Sequence, residues 1–142
     1  MDFREITFNS NEYRKSLLLR TKILRTPLGK LLSEADLDGE EDQLHFGIFD
    51  SSKLVACVII KPIDEGIGKL RQMAVDDSVQ GKGIGKLIIN KTEIVLKDKG
   101  FKQITMAARE TAVGFYQALS YEVVDEPFLE LGIEHLEMVK HL

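Results

Sequence analysis

The stretch SVQGKGIGKLIINK (78–91) puts glycine at three alternate positions, Gly81, Gly83 and Gly85, and the chain then carries no further glycine until Gly100. KLRQMAV (69–75) before it reads as a strand. After it, Ile84, Leu87, Ile88, Ile94 and Val95 recur at helical spacing, so the glycines join a strand to a helix that Gly100 ends at its C-cap. At such a junction the first backbone N–H groups of the helix lack intrahelical partners and sit at the positive end of its dipole, and missing Cβ atoms let a bulky anion reach them. The loop therefore reads as a phosphate cradle, with Lys82 and Lys86 adding charge at its rim. It is not a P-loop, which would need glycine where Gln80 stands and Ser or Thr where Leu87 stands. A dinucleotide fingerprint also fits poorly, because glycine is required where Lys86 stands and an acidic residue where Arg109 ends the next strand; an arginine there does suit a 2′-phosphate, so a dinucleotide stays open as an alternative.

The rest of the chain reads as mixed elements. FREITF (3–8) alternates like a strand, and residues 10–24 open with capping residues and put Tyr13, Leu17 and Leu24 at helical spacing until Pro27 ends the helix. A short helical piece is expected within 29–37, then an acidic turn, DGEED (38–42). LHFGIFD (44–50) and LVACVIIKP (54–62) form a hairpin, the second strand apolar on both faces and hence central. FKQITMAA (101–108) is a strand, TAVGFYQAL (111–119) a helix, and YEVVDE (121–126) and HLEMVK (135–140) are closing strands.

The expected order is β-α-α-β-β-β-α-β-α-β-β, an α+β fold in one domain, residues 1–142, with no linker or repeat to divide it. A net charge of −4 provides no basic field for nucleic acid, and no apolar run approaches a membrane span. Cys57, the only cysteine, sits in an apolar run and reads as a core residue of a protein from a reducing compartment, the cytoplasm. Three histidines and one cysteine show no metal-ligand spacing, so no metal is expected.

Gln80-Gly81-Lys82-Gly83-Ile84-Gly85 resembles the [RQ]-x-x-G-x-[GA] pyrophosphate loop of the GNAT superfamily of N-acetyltransferases. AARETAVGFYQALSYEVV (107–124) resembles that family's following strand and helix, with Ala112, Phe115, Tyr116, Leu119 and Tyr121 in step. Arg109 stands where members often carry asparagine, and Ser120 replaces a usual glycine. The resemblance implies a mostly antiparallel twisted sheet that splays beside the glycine loop, with acetyl-CoA laid along it as co-substrate. It implies cofactor contacts from Met73, Ala74 and Val75, from Gln80, Gly81, Lys82, Gly83, Ile84, Gly85 and Lys86, and from Arg109 and Tyr116.

The implied reaction is direct attack of a primary amine on the thioester in a ternary complex, with Tyr116 as the acid that protonates the departing sulfur. The acceptor is a small-molecule or protein amine, and the protein is expected as a monomer or homodimer. The competing reading is a non-catalytic module that binds CoA or a dinucleotide as a sensor or scaffold. An attacking amine must first lose a proton, and the carboxylate that some members carry in the strand before the loop falls near Lys69 or Gln72, neither of which can serve. Candidates for base or acceptor contact are His45 and His135, with Glu41 and Glu110 beside them; His135 is the more suggestive, because the family's last strands flank the acceptor.

Overall fold

The computed structural model describes residues 1–142. Eight strands form one sheet: β1 (Asp2–Ile6), β2 (Leu44–Asp50), β3 (Lys53–Asp64), β4 (Ile67–Val75), β5 (Gln103–Arg109), β6 (Glu122–Val123), β7 (Phe128–Glu130) and β8 (Ile133–His141). Their order is β1-β2-β3-β4-β5-β8-β6, with β7 also on β8. Every pairing is antiparallel except β4 with β5. Four α-helices accompany them: α1 (Asn11–Arg20), α2 (Glu34–Leu37), α3 (Ile84–Asp98) and α4 (Val113–Gln117).

The sheet has two differently furnished faces. On one, α3 and the residues around α4 cover a large apolar core in which Ile84, Ile88 and Leu96 pack with Phe46, Ile60, Ile104, Tyr116 and Tyr121. On the other, α1 contributes Tyr13 and Leu19 to a smaller cluster with Ile6, Phe49, Leu54, Cys57 and Ala74. β3 is buried from Leu54 to Ile60 without a break, as expected of a central strand between two layers.

Two irregularities shape the middle of the sheet. Between Cys57↔Ala74 and Ile59↔Arg71, β3 advances two residues while β4 advances three, so Gln72 and Met73 together oppose Val58 in a β-bulge. Gln72 takes a left-handed backbone there, φ 52°. The second is the short parallel pairing: β4 meets β5 only at Ile67–Lys69 against Gln103–Thr105, and beyond that the strands part.

Several elements differ from the sequence reading. α1 stops at Arg20 and continues as one π-helical turn, Thr21–Arg25, before Pro27 ends it. Only Glu34–Leu37 of the 29–37 segment is helical, started by a capping box between Ser33 and Asp36. The buried stripe of α3 runs Ile84, Ile88, Thr92, Leu96, with Ile94 exposed, because Thr92 holds the core position. Gly100 does end α3: at φ 93° it allows Phe101 N–H to bond the Leu96 carbonyl and its own N–H to bond that of Lys97. The 111–119 helix is short, Val113–Gln117 after a 3-10 turn, and the closing strands are Glu122–Val123 and Ile133–His141 with β7 added between them.

Candidate functional site

Where β4 and β5 separate, the edge of β4 from Leu70 to Val75 has no strand partner on that side. The gap opens into a cavity of about 760 Å³ lined by Met73 and Val75 of β4, Ala107 and Arg109 of β5, the glycine loop, and Phe115 and Tyr116. A free strand edge presents backbone donors and acceptors to an extended amide-bearing ligand, as a further strand would.

The glycine loop forms one mouth. Gly81 and Gly83 have φ of 77° and 78°, and a Cβ added at either would meet nothing within 4 Å, so both face open space. Gly85 is bare for another reason. Its Cβ would lie 3.2 Å from Phe115 Cζ and 3.3 Å from Met73 Cε, so the missing side chain lets those two close on the first turn of α3. α1 and α2 each begin with a serine cap and an acidic residue in the first turn. α3, the longest helix, begins with neither, leaving its first N–H groups uncapped by any side chain beside Gly81 and Gly83. This suits a pyrophosphate-bearing ligand. Gln80 stiffens the loop, its Nε2 donating to the Val75 carbonyl at 3.0 Å. Lys86 lines the cavity; Lys82 does not.

Tyr116 lies deeper, buried edge-on against Phe115 and Tyr121. Its hydroxyl donates to Met73 Sδ at 3.6 Å, and burial pushes its pKa up to about 12. Ala74 offers only backbone, its side chain being buried in the α1-face cluster.

The opposite wall is lined by Leu24 and Arg25 of the π-turn, Ala35 and Asp36 of α2, and Arg71 and Gln72 of β4, and a cluster of buried charge backs it. Arg20 and Glu40 are both fully buried and doubly bonded, Nη1 to Oε1 at 3.0 Å and Nη2 to Oε2 at 2.6 Å. Arg71 Nη1 adds a contact to Glu40 Oε2 at 2.8 Å, and Tyr13 donates to Oε1 at 2.6 Å. Burial alone would raise the Glu40 carboxyl, but the bonds from Arg20, Tyr13 and Arg71 outweigh it and hold the group below its ordinary range. The bulge makes this cluster possible, since consecutive residues Arg71 and Gln72 both reach the α1 face. Arg20 Nε donates to Gln72 Oε1 at 3.1 Å, which fixes the amide with its NH₂ as the free end.

Nearby, Arg25 grips Asp36 through Nη2 at 2.9 Å and Nε at 3.2 Å, and Lys22 reaches Asp76 at 2.9 Å, tying the π-turn to the end of β4. Hydrogen bonds from Arg25 hold the Asp36 carboxyl down to about 2. None of these pairings is apparent from the sequence, where Glu40 is one of several acids in a turn; a lone arginine inside the apolar run SLLLRTKIL is the only hint.

The candidate bases separate cleanly. His135 lies opposite Arg109 in the β5–β8 ladder and lines the cavity. Its Nδ1 donates to the Ile133 carbonyl at 2.8 Å, and its Nε2 lies 3.6 Å from Glu130 Oε2. His45 is outside the cavity: buried beside Phe8 and Tyr13, it donates from Nε2 to the Glu40 carbonyl at 2.8 Å, and burial lowers its pKa, keeping the ring neutral. Glu41 and Glu110 are exposed and do not line the cavity. Arg109 does line it, but its guanidinium turns to the α1 face, where Nη2 donates to the Leu24 carbonyl at 3.3 Å.

Comparison with known proteins agrees with this architecture. Residues 22–142 match the family model described as "Acetyltransferase (GNAT) domain". The Bacillus subtilis (strain 168) uncharacterized N-acetyltransferase YjcF is 32% identical over 110 residues, covering 76% of this chain and 78% of that protein. Two other Bacillus subtilis relatives match over about half of their own length, 50% in each case. An acyl-CoA N-acyltransferase from Pseudomonas aeruginosa has the same fold, with a TM-score of 0.83 at 17% identity over 98% of both chains. A GNAT family acetyltransferase from Elizabethkingia anophelis, solved with acetyl-CoA bound, superposes with a TM-score of 0.74 at 19% identity, covering 99% of this chain and 97% of that one. No helix is long and apolar enough to cross a membrane.

Proposed function

Because this chain belongs to the GNAT acetyltransferase family, we propose that it transfers an acetyl group from acetyl-CoA to the primary amine of an acceptor, by direct attack in a ternary complex. The observation that carries the reading is the parting of β4 from β5 beside the uncapped N-terminus of α3. Gly81, Gly83 and the first turn of α3 would hold the pyrophosphate, with Lys86 beside them, and the free edge of β4 at Met73–Val75 would hold the pantetheine arm. Acetyl-CoA supplies the electrophilic carbonyl and a thiolate leaving group whose thiol has a pKa of about 8.5.

His135 is the base in this reading. A carbonyl only accepts, so the bond to Ile133 puts the proton of the neutral ring on Nδ1 and leaves the Nε2 lone pair to take a proton from the amine. Glu130, 3.6 Å away, stabilises the imidazolium that results. The amine nitrogen then bonds to the acetyl carbon, the C–S bond breaks, and the electron pair leaves on sulfur. Tyr116, holding its proton firmly at about 12, is a weaker acid than the thiol to be formed, so it acts chiefly as a hydrogen-bond donor to the departing sulfur. Cys57, which burial raises to about 12, takes no part, and a buried inert thiol suits a cytoplasmic enzyme.

Single-turnover acetyl transfer tests the role of Tyr116. Tyr116→Phe keeps the ring's packing and should slow the transfer step roughly 10- to 100-fold, the worth of one hydrogen bond to developing charge, with acetyl-CoA affinity retained. Transfer as fast as wild type would remove the tyrosine from the chemistry; loss of acetyl-CoA binding would make it a cofactor contact.

A further inference from the structure

We infer that the acceptor is an amino-acid-like zwitterion, a small molecule carrying its amine and a free carboxylate together, with the carboxylate held by Arg109 and the Gln72 amide. This rests on the acetyltransferase reading and narrows its acceptor to one chemical class.

The arginines on the α1 face of the cavity are unequally engaged. Arg25 is held twice by Asp36. Arg71 is spent on Glu40, Gln43 and the Asp36 carbonyl. Arg109 differs: its one protein hydrogen bond runs to the Leu24 carbonyl, and no carboxylate pairs with it. A guanidinium carries five N–H donors in a planar fork suited to a carboxylate, so most of this one is unclaimed in a half-buried site. Gln72 supplies a second donor group. Arg20 can only donate, so it must hold Oε1, and the amide NH₂ is left without a protein partner at the cavity wall.

The amine end is specified by register. Arg109 and His135 are directly opposed across the β5–β8 ladder, and opposed residues put their side chains on the same face with Cβ atoms about 5 Å apart. The cation free to bind an anion therefore stands beside the base that takes the proton from the amine, with Glu130 behind it. A molecule that joins amine to carboxylate through a short carbon link meets both at once. A polyamine would place a second ammonium at Arg109, and a backbone amide would leave that guanidinium without its counter-charge.

The test is an acceptor panel read as free thiol release from acetyl-CoA, comprising free amino acids, the amide of each, and the corresponding decarboxylated amines. For the preferred acceptor, kcat/KM should exceed that of its own amide by roughly 10- to 100-fold, the worth of one charge-assisted pair. In Arg109→Gln that ratio should collapse toward one through a rise in KM for the acid, and Arg109→Lys should restore part of it. Calorimetry on Arg109→Gln decides between substrates, because a tenfold or greater loss of acetyl-CoA affinity would make Arg109 a cofactor contact and overturn the inference. Wild-type enzyme that acetylates amides or simple amines as well as the free acids would also overturn it, leaving the acetyltransferase reading intact. Absence of amine-dependent thiol release with every compound in the panel would defeat that reading and this one with it.

Discussion

The two walls of the cavity are built on opposite plans. On the α3 face the surroundings of the glycine loop and Tyr116 are apolar, and what faces the cavity is chiefly the backbone of one short segment, with the Lys86 and Tyr116 side chains beside it. On the α1 face the wall is held by polar side-chain bonds that join distant parts of the sequence: Arg71 to the buried Arg20–Glu40 pair behind it, Gln72 to Arg20, and Arg109 to the Leu24 carbonyl. The difference fits the proposed function, in which one wall takes the pyrophosphate and the other the acceptor. A phosphate cradle needs only bare backbone at a helix end, which one short segment supplies, whereas recognising an acceptor would need side chains fixed in place, and on the α1 face buried charge fixes them.

The largest effect should come from breaking the charged wall. Glu40→Ala leaves Arg20 fully buried with its main counter-charge gone, and losing one partner of a buried pair costs about 3–5 kcal/mol, to be read from the urea midpoint. A loss under about 1 kcal/mol would mean that water or a shifted Gln72 replaces the carboxylate, and that the cluster is not held rigidly by the Arg20–Glu40 pair.

Acid should weaken the same wall. The folded-state pKa of both Glu40 and Asp36 is depressed, so the stability each contributes is present above its unfolded value, near pH 4, and is lost as pH falls through the folded one. Unfolding free energy should therefore drop between about pH 5 and pH 2, where Asp36 titrates, and Glu40→Gln should flatten part of that slope. A flat profile over that range would contradict the depressed carboxyls.

A smaller change sharpens the α3 side. Gly85→Ala would place a methyl 3.2 Å from Phe115 Cζ and 3.3 Å from Met73 Cε, a mild overpacking that should cost about 1–2 kcal/mol in thermal denaturation. A neutral or stabilising outcome would show that Phe115 is free to move, and that the third glycine is not there for packing.

How far the sequence is readable follows the same division. β2 is legible residue for residue, because Leu44, Phe46 and Ile48 alternate between clear turns. The glycine loop before α3 and the short helix that carries Tyr116 are legible because each depends on a local run, although Lys82 does not line the cavity. Ile94 reads as a core residue because it is apolar, whereas the helix turns Thr92 inward and leaves Ile94 in solvent. β7 escapes the sequence reading because Phe128–Glu130 is three exposed residues after Pro127, with pairing to β8 its only cause. The Arg20–Glu40–Arg71 cluster is invisible for a different reason: nothing distinguishes Glu40 from Glu41 or Asp42 until the fold brings the arginines to it. The same holds for Arg109, whose reach to Leu24 spans most of the chain and turns it to the α1 face of the cavity.

Whether the parted strands and glycine loop form an acetyl-CoA site is decided by calorimetric titration of the wild type and Gly83→Val with acetyl-CoA, and of the wild type with NADPH. Gly83 sits at φ 78° facing open space, so valine strains the loop and fills the cradle while touching no core residue. The expected result is saturable acetyl-CoA binding by the wild type, none of NADPH, and affinity at least about tenfold weaker in a variant that still unfolds cooperatively. Equal acetyl-CoA affinity in folded Gly83→Val, or tight NADPH binding without acetyl-CoA binding, would contradict it.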